Sequence, residues 1–139
     1  MENTSVNPKG KKEEYLNIED AIADFPGGIV YFQFDEKMTL EYFTDGLLNV
    51  LGVSREDFVV SYGNSFRSVI SKEDFHSVYE AITESISERK GNIIECRLRM
   101  PDGTKKWVSL QVRIKGYNAS DLRIVGNIVD IDMYRKEMM

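Results

Sequence analysis

The sequence is poor in the residues from which most catalytic and metal centres are made. It holds one cysteine (Cys96), one histidine (His76) and one tryptophan (Trp107) in 139 residues. A single cysteine excludes an internal disulfide and fits a reducing compartment. One histidine and one cysteine, far apart in the chain, do not make a closed zinc site, which needs clustered ligands. No serine or cysteine nucleophile is matched by a general base in the pattern, so an enzyme is not expected. Gly27-Gly28 is followed by no Gly-Lys-Ser or Gly-Lys-Thr and is not a phosphate loop. The longest apolar stretches, such as 27–32, are far too short to span a bilayer. The N-terminus lacks the apolar core of a signal peptide. These absences point to a cytoplasmic chain without membrane insertion.

A basic field is also missing. The formal charge is -5, which argues against a general nucleic-acid surface. The short run Lys9, Lys11, Lys12 is answered at once by Glu13 and Glu14 and reads as a solvated tail. No internal repeat or low-complexity segment is visible. What is present is ordinary for one globular domain with one core: 42% apolar and 29% charged residues.

Residues 1–12 are polar, carry Pro8 and Gly10, and are expected to be disordered. A helix over 13–25 follows, with Tyr15, Ile18, Ile22 and Phe25 on one face. Pro26-Gly27-Gly28 breaks it. Strands are expected at 29–34 and 39–44, joined by the polar turn Asp35-Glu36-Lys37. Asp45 is placed to cap a helix that carries Leu47, Leu48, Val50 and Leu51 and ends at Gly52. Ser54 caps a second turn leading to Phe58, 61–64 reads as loop, and 65–70 as a short helix. The clearest helix is 71–90. Ser71 stands at its N-cap, and Glu73 and Asp74 meet the macrodipole in the first turn. Phe75, Val78, Tyr79, Ile82 and Ile86 form its apolar stripe, and Gly91 supplies a left-handed residue beyond its end.

Three strands close the chain. Over 92–100, Ile94, Cys96, Leu98 and Met100 alternate with Glu95, Arg97 and Arg99. Pro101-Asp102-Gly103 suits a tight hairpin turn. Over 104–114, Val108, Leu110, Val112 and Ile114 oppose Trp107, Ser109, Gln111 and Arg113. The last strand, 122–131, is apolar on both faces, which is the pattern of a strand at the centre of a sheet. The fold class is α+β: an antiparallel sheet with helices packed on one face.

The stretch Glu95-x-Arg97-x-Arg99-x-x-Asp102-Gly103-x-x-x-Trp107-Val108, followed by Gly126-x-x-x-Asp130-Ile131, resembles the C-terminal half of bacterial PAS sensor domains. Gly28-Ile29-Val30-x-Phe32 and Asp45-Gly46-x-x-x-x-Leu51-Gly52 resemble the N-terminal half. The resemblance covers about residues 20–132, and the PAS domain is taken as 26–132. It implies a five-stranded antiparallel sheet in the order 2-1-5-4-3, with helices enclosing a ligand pocket on the inner face. It implies an N-terminal helix on the outer face in a dimer interface. It also implies an effector C-terminal to this chain, such as a histidine kinase or a diguanylate cyclase. Asp130-Ile131-Asp132 resembles the junction where such domains pass the signal on, although the family carries threonine where Asp132 stands. Residues 133–139 look like the start of a helical linker.

The candidate residues divide accordingly. Phe66, Ile70, Tyr79, Ile82, Cys96, Leu98, Leu110 and Ile128 are expected to line an inner pocket, with Tyr79 and Asn127 as its polar handles. Ile18, Ile22, Phe25 and Trp107 mark a dimer or partner face. His76 lies about 100° from the helix stripe, beside Glu80, and reads as a surface residue. In haem-binding members of the family the ligand histidine corresponds to Tyr79 here, which speaks against haem. The flavin-binding light sensors use an Asn-Cys-Arg motif. The corresponding stretch, Gly63-Asn64-Ser65-Phe66-Arg67, has no cysteine, which speaks against a flavin adduct. The cofactor, if any, is left unknown. Cys96 reads as a small apolar filler. Two functions remain: a PAS sensor that binds a small molecule or relays a signal, and a ligand-free module for dimerisation and protein interaction.

Overall fold

Two-residue periodicity builds the sheet, and glycine contacts set the helices on it. The computed structural model describes residues 27–116, 118 and 121–132. The expected tail 1–12, the helix 13–25 with Ile18, Ile22 and Phe25, and the linker 133–139 lie outside the described residues. The elements run β1 (Gly28–Gln33), β2 (Leu40–Phe43), α1 (Asp45–Leu51), α2 (Arg55–Tyr62), α3 (Phe66–Val69), α4 (Lys72–Glu88), β3 (Asn92–Arg99), β4 (Lys105–Lys115) and β5 (Arg123–Asp130).

All strand pairs are antiparallel, and the sheet order is β2-β1-β5-β4-β3. This is the expected five-stranded topology, with β5 in the centre. The register puts Val30 opposite Gly126, and Leu110 opposite Ile128. Alternate residues of each strand then face one layer. Val30, Phe32, Ile94, Cys96, Leu98, Val108, Leu110, Val112, Ile124 and Ile128 are all buried there. The same cluster takes Leu47, Leu48, Val50 and Leu51 from α1, Phe58 and Tyr62 from α2, Phe66 and Val69 from α3, and Val78 and Ile82 from α4. The core is therefore one layer between the sheet and four helices.

The turn Pro101-Asp102-Gly103 joins β3 and β4 as expected. Gly103 has φ 89°. The Asp102 carboxylate accepts from the Thr104 amide at 3.0 Å and the Thr104 hydroxyl at 2.6 Å. Those bonds hold its pKa below the usual carboxylate value.

Three local expectations need correction. Thr44, not Asp45, stands at the N-cap of α1. The Thr44 hydroxyl instead accepts the Ile29 amide at 2.9 Å, and the Asp45 carboxylate pairs with Arg55 at 3.0 Å. Secondly, Arg89 rather than Gly91 takes the left-handed conformation after α4, with φ 56°. Gly91 has a different reason to be glycine: a Cβ there would stand 2.8 Å from the Val112 carbonyl oxygen. Thirdly, α2 runs on to Tyr62, two residues into the loop expected from 61. Its Ser54 cap is as expected, accepting from the Asp57 amide at 3.1 Å.

The two N-terminal glycine motifs meet in space. A Cβ on Gly46 would lie 1.8 Å from the Gly27 carbonyl oxygen, and one on Gly28 would lie 2.2 Å from the Leu47 amide nitrogen. Backbone lies against backbone there, so α1 sits directly on the start of β1. Gly46→Ala is expected to destabilise the domain by more than about 2 kcal/mol, because backbone must move. Gly52→Ala, whose Cβ meets nothing within 4 Å, costs only the left-handed backbone, about 1–2 kcal/mol. Urea unfolding of both variants checks the order.

Candidate functional site

The inner face was the expected ligand site. Phe66, Ile70, Ile82, Cys96, Leu98, Leu110 and Ile128 do come together, and each is 3% exposed or less. They belong to one packed cluster. The Phe32 and Phe66 rings stack with centroids 5.0 Å apart, filling the space between β1 and α3.

The two expected polar handles are elsewhere. Tyr79 is 43% exposed and stacks on Phe34 with ring centroids 5.1 Å apart. The buried face of α4 runs through Val78, Ile82 and Ser85. Counting Tyr79 as apolar and Ser85 as polar turns the apparent stripe away from this axis. Asn127 is only partly buried and lies between Gly126 and Ile128, which are buried. Side chains alternate along a strand, so Asn127 faces the outer side of the sheet, away from Ile128.

Cys96 is a free thiol within the core. Burial, reinforced by the nearby Asp74 carboxylate, pushes it up to about 12. The thiolate is the reactive form. Alkylation by iodoacetamide at about pH 8 should therefore be on the order of 10³-fold slower in the native protein than in guanidinium. Mass spectrometry of timed samples checks this, and rapid native labelling would place Cys96 outside the core.

A second locus joins the helical layer to the end of the central strand. Asp74, in the first turn of α4, grips Arg97 on the edge strand β3. Its Oδ2 accepts from the Arg97 amide at 2.7 Å and from Nε at 3.0 Å, and Oδ1 accepts from Nη2 at 2.7 Å. The Ser71 amide donates to the Arg97 carbonyl at 2.9 Å. Both backbone groups of Arg97 are thus spent on the helix start, which covers the sheet edge there. The Arg97 guanidinium lies 5.2 Å from the centre of the Trp107 ring on β4. The Trp107 amide in turn donates to Asp132 Oδ1 at 3.2 Å, and its carbonyl accepts the Ile131 amide at 3.1 Å.

Lys106 adds a parallel tie. Its Nζ meets Asp130 Oδ2 at 3.1 Å and donates to the Val50 carbonyl, in the last turn of α1, at 3.0 Å. The expected junction Asp130-Ile131-Asp132 is therefore held by β4, and through it by α1 and α4. Asp132, which departs from the family pattern, uses its carboxylate to accept from Trp107 and its own amide to donate to Asp130 Oδ1 at 2.9 Å. Sequence reasoning missed Asp74 and Lys106 as members of this locus. Asp74 was legible only as a helix-dipole residue, and Lys106 carries no local signal.

Comparisons with known proteins bear on the fold. The family model of the PAS fold matches residues 40–128. The chain belongs to the PAS family. Solved PAS structures share the fold at low identity. The N-terminal domain of a diguanylate cyclase with PAS/PAC sensor from Marinobacter aquaeolei is 16% identical, with a TM-score of 0.59 over 78% of this chain and 97% of that one. The PAS domain of an HTR-like protein from Haloarcula marismortui is 16% identical, with a TM-score of 0.64 over 88% and 96%. A sensory box histidine kinase/response regulator from Burkholderia thailandensis E264 is 16% identical, with a TM-score of 0.64 over 90% and 89%. No curated protein sequence matches the chain.

In this PAS domain His76 lies at the surface, its Nε2 3.2 Å from Glu80 Oε2, as its place on the helix implied. Trp107 is half-buried on the outer face under Arg97. Among the described residues no three His, Cys, Asp or Glu side chains cluster as metal ligands. Among the same residues no helix is long and apolar enough to cross a membrane.

The Arg97 bonds, net of the cost of burial, hold the Asp74 carboxyl below its ordinary value of 3.8. A depressed carboxyl stabilises the fold above its unfolded pKa, and that stability is lost as pH falls through the folded value. Asp74→Asn is expected to lower the thermal midpoint by on the order of 5 °C at neutral pH. The gap to the unsubstituted protein should close as pH drops below 3.8. Thermal melts of both proteins between neutral pH and pH 3 check the sign.

Proposed function

We propose that this chain is the sensory and regulatory domain of a bacterial signal-transduction protein, and that it relays a signal to an effector C-terminal to Asp132. The observation that carries the reading is the junction. The last residues of the central strand are tied by the Lys106 bridge to α1, and by the Asp74–Arg97–Trp107–Asp132 series to α4. A shift of either helix on the sheet therefore changes the bonds that position Asp130, Ile131 and Asp132. A contiguous series of bonds of this kind carries coupling when both ends bias the same contacts. The likeness to domains of a diguanylate cyclase and a sensory histidine kinase supports an effector of one of those kinds. The reading places the protein in the cytoplasm, as a homodimer.

The packed inner face favours a second reading. Phe66, Ile82, Cys96, Leu98, Leu110 and Ile128 fill the space where an internal small molecule would lie. In the ligand-free version the domain serves dimerisation and protein interaction, and the same junction transmits changes in partner contacts.

The relay is tested by placing the chain ahead of a diguanylate cyclase domain and measuring cyclic dinucleotide formation. Lys106→Met and Asp132→Asn should each change the output by about 3-fold or more in the folded chimera. Lys115→Gln, on an exposed residue at the far end of β4, should leave it unchanged. Output indifferent to both Lys106→Met and Asp132→Asn would sink the relay.

A further inference from the structure

We infer that the groove between α3, the start of α4 and the end of β3 is a binding site for a small, multiply charged oxyanion, a phosphate monoester or a polycarboxylate. The inference is independent of the relay and lies outside the packed inner face. The groove is lined by Arg67, Ser68, Ile70, Lys72, Phe75 and Arg99 and has a volume of about 670 Å³. That is within the range of small-molecule sites. Three of the six lining residues are cations and none is an acid, in a chain whose net charge is -5.

The two guanidinium groups are already held in place. Arg67 lies 4.2 Å over the centre of the Phe75 ring, and its Nη1 donates to the Glu36 carbonyl at 3.1 Å. Arg99 lies 4.8 Å over the Tyr62 ring, and its Nε donates to the Ser68 carbonyl at 3.1 Å. Its Nη2 makes a longer bond to the Ser61 carbonyl at 3.4 Å. A guanidinium has five N–H donors, so both keep donors to spend. Neither pairs with a carboxylate among the described residues, and Lys72 has no ion pair there.

The acids near the groove are engaged elsewhere. Glu73 pairs with Lys105 at 2.7 Å and Asp74 with Arg97 at 2.7 Å. Asp35 accepts the Thr39 hydroxyl at 2.7 Å. Asp35 and Glu36 line a separate hollow that shares Arg67 and Phe75 with the groove. Stacked, pre-positioned guanidinium groups suit bidentate recognition of carboxylate and phosphate, and a flexible ammonium adds a point charge. Ser68 offers a hydroxyl and Phe75 an apolar wall. Together they fit an oxyanion on a short organic body.

Titration calorimetry of the full chain at low ionic strength tests the site, with phenyl phosphate, citrate and benzyl alcohol as probes. Phenyl phosphate or citrate should bind with a Kd on the order of 10⁻⁴ M, and neutral benzyl alcohol should not. Stronger binding of phenyl phosphate assigns the site to phosphate monoesters, and stronger binding of citrate assigns it to polycarboxylates. Lys72→Gln, which removes no ion pair or hydrogen bond among the described residues, should weaken the bound anion about 10-fold without changing the thermal midpoint. Arg67→Gln should weaken it further, and Lys115→Gln should leave it unchanged. The proposal is overturned if neither anion binds at millimolar concentration, or if both bind Lys72→Gln and Arg67→Gln as tightly as the unsubstituted protein.

Discussion

The rest of the structure depends on β5 lying between β1 and β4. Until this last strand arrives, the β1–β2 pair and the β3–β4 pair have no shared sheet. Its inward residues Ile124, Gly126 and Ile128 meet both sides at once. Gly126 is central to that arrangement, since a Cβ there would stand 3.0 Å from both Leu110 and Val30 side-chain carbons. The pairing closes a loop of nearly a hundred residues, between Gly28 and Ile128. Its entropic cost grows only slowly with length, and the apolar surface buried on the inward face of β5 offsets it. The same constraint brings the end of the domain out from the middle of the sheet, where every structural layer has access to it.

Two kinds of fastening hold the helices over this sheet. At one end, glycine backbone lies against glycine backbone where α1 crosses β1, and no side chain intervenes. At the other, Asp74 holds Arg97 through three hydrogen bonds and α4 covers the sheet edge. The first fastening is steric and indifferent to pH. The second is electrostatic and follows the charge of Asp74. Lys106 links the first helix to Asp130, while Arg97 and Trp107 link the last helix to Asp132. The junction thus receives both layers of the domain through side chains that are only partly buried. Contacts of that kind are cheaper to rearrange than the apolar core beneath them.

Surface charge is distributed with similar economy. Acids at the start of α4 are matched by Lys105 and Arg97, whereas Arg67, Lys72 and Arg99 are left facing one groove. Their stacking on Phe75 and Tyr62 holds the two arginines without neutralising them. The protein is acidic overall, so this small concentration of positive charge stands out against the field around it.

Much of the architecture was legible from residue order. Alternation of Ile94, Cys96 and Leu98, and of Val108, Leu110 and Val112, determined the inward faces, because a strand has no freedom to change its two-residue period. The two-faced apolar pattern of 122–131 required a central strand, and the resemblance supplied the order of the others. The alternation that buries Ile128 turns Asn127 outward, against its expected place in the pocket. Tertiary structure alone decided the rotation of α4. A helical stripe is broad, and whether Tyr79 or Ser85 faces the core depends on which side chains of β3 and β4 it meets. It also decided the partners of Asp74, Lys106 and Arg67, which lie 23, 24 and 31 residues from the groups they bind. Local periodicity reports which face a residue occupies. It carries no information about which distant charge or carbonyl the folded sheet will place opposite that residue.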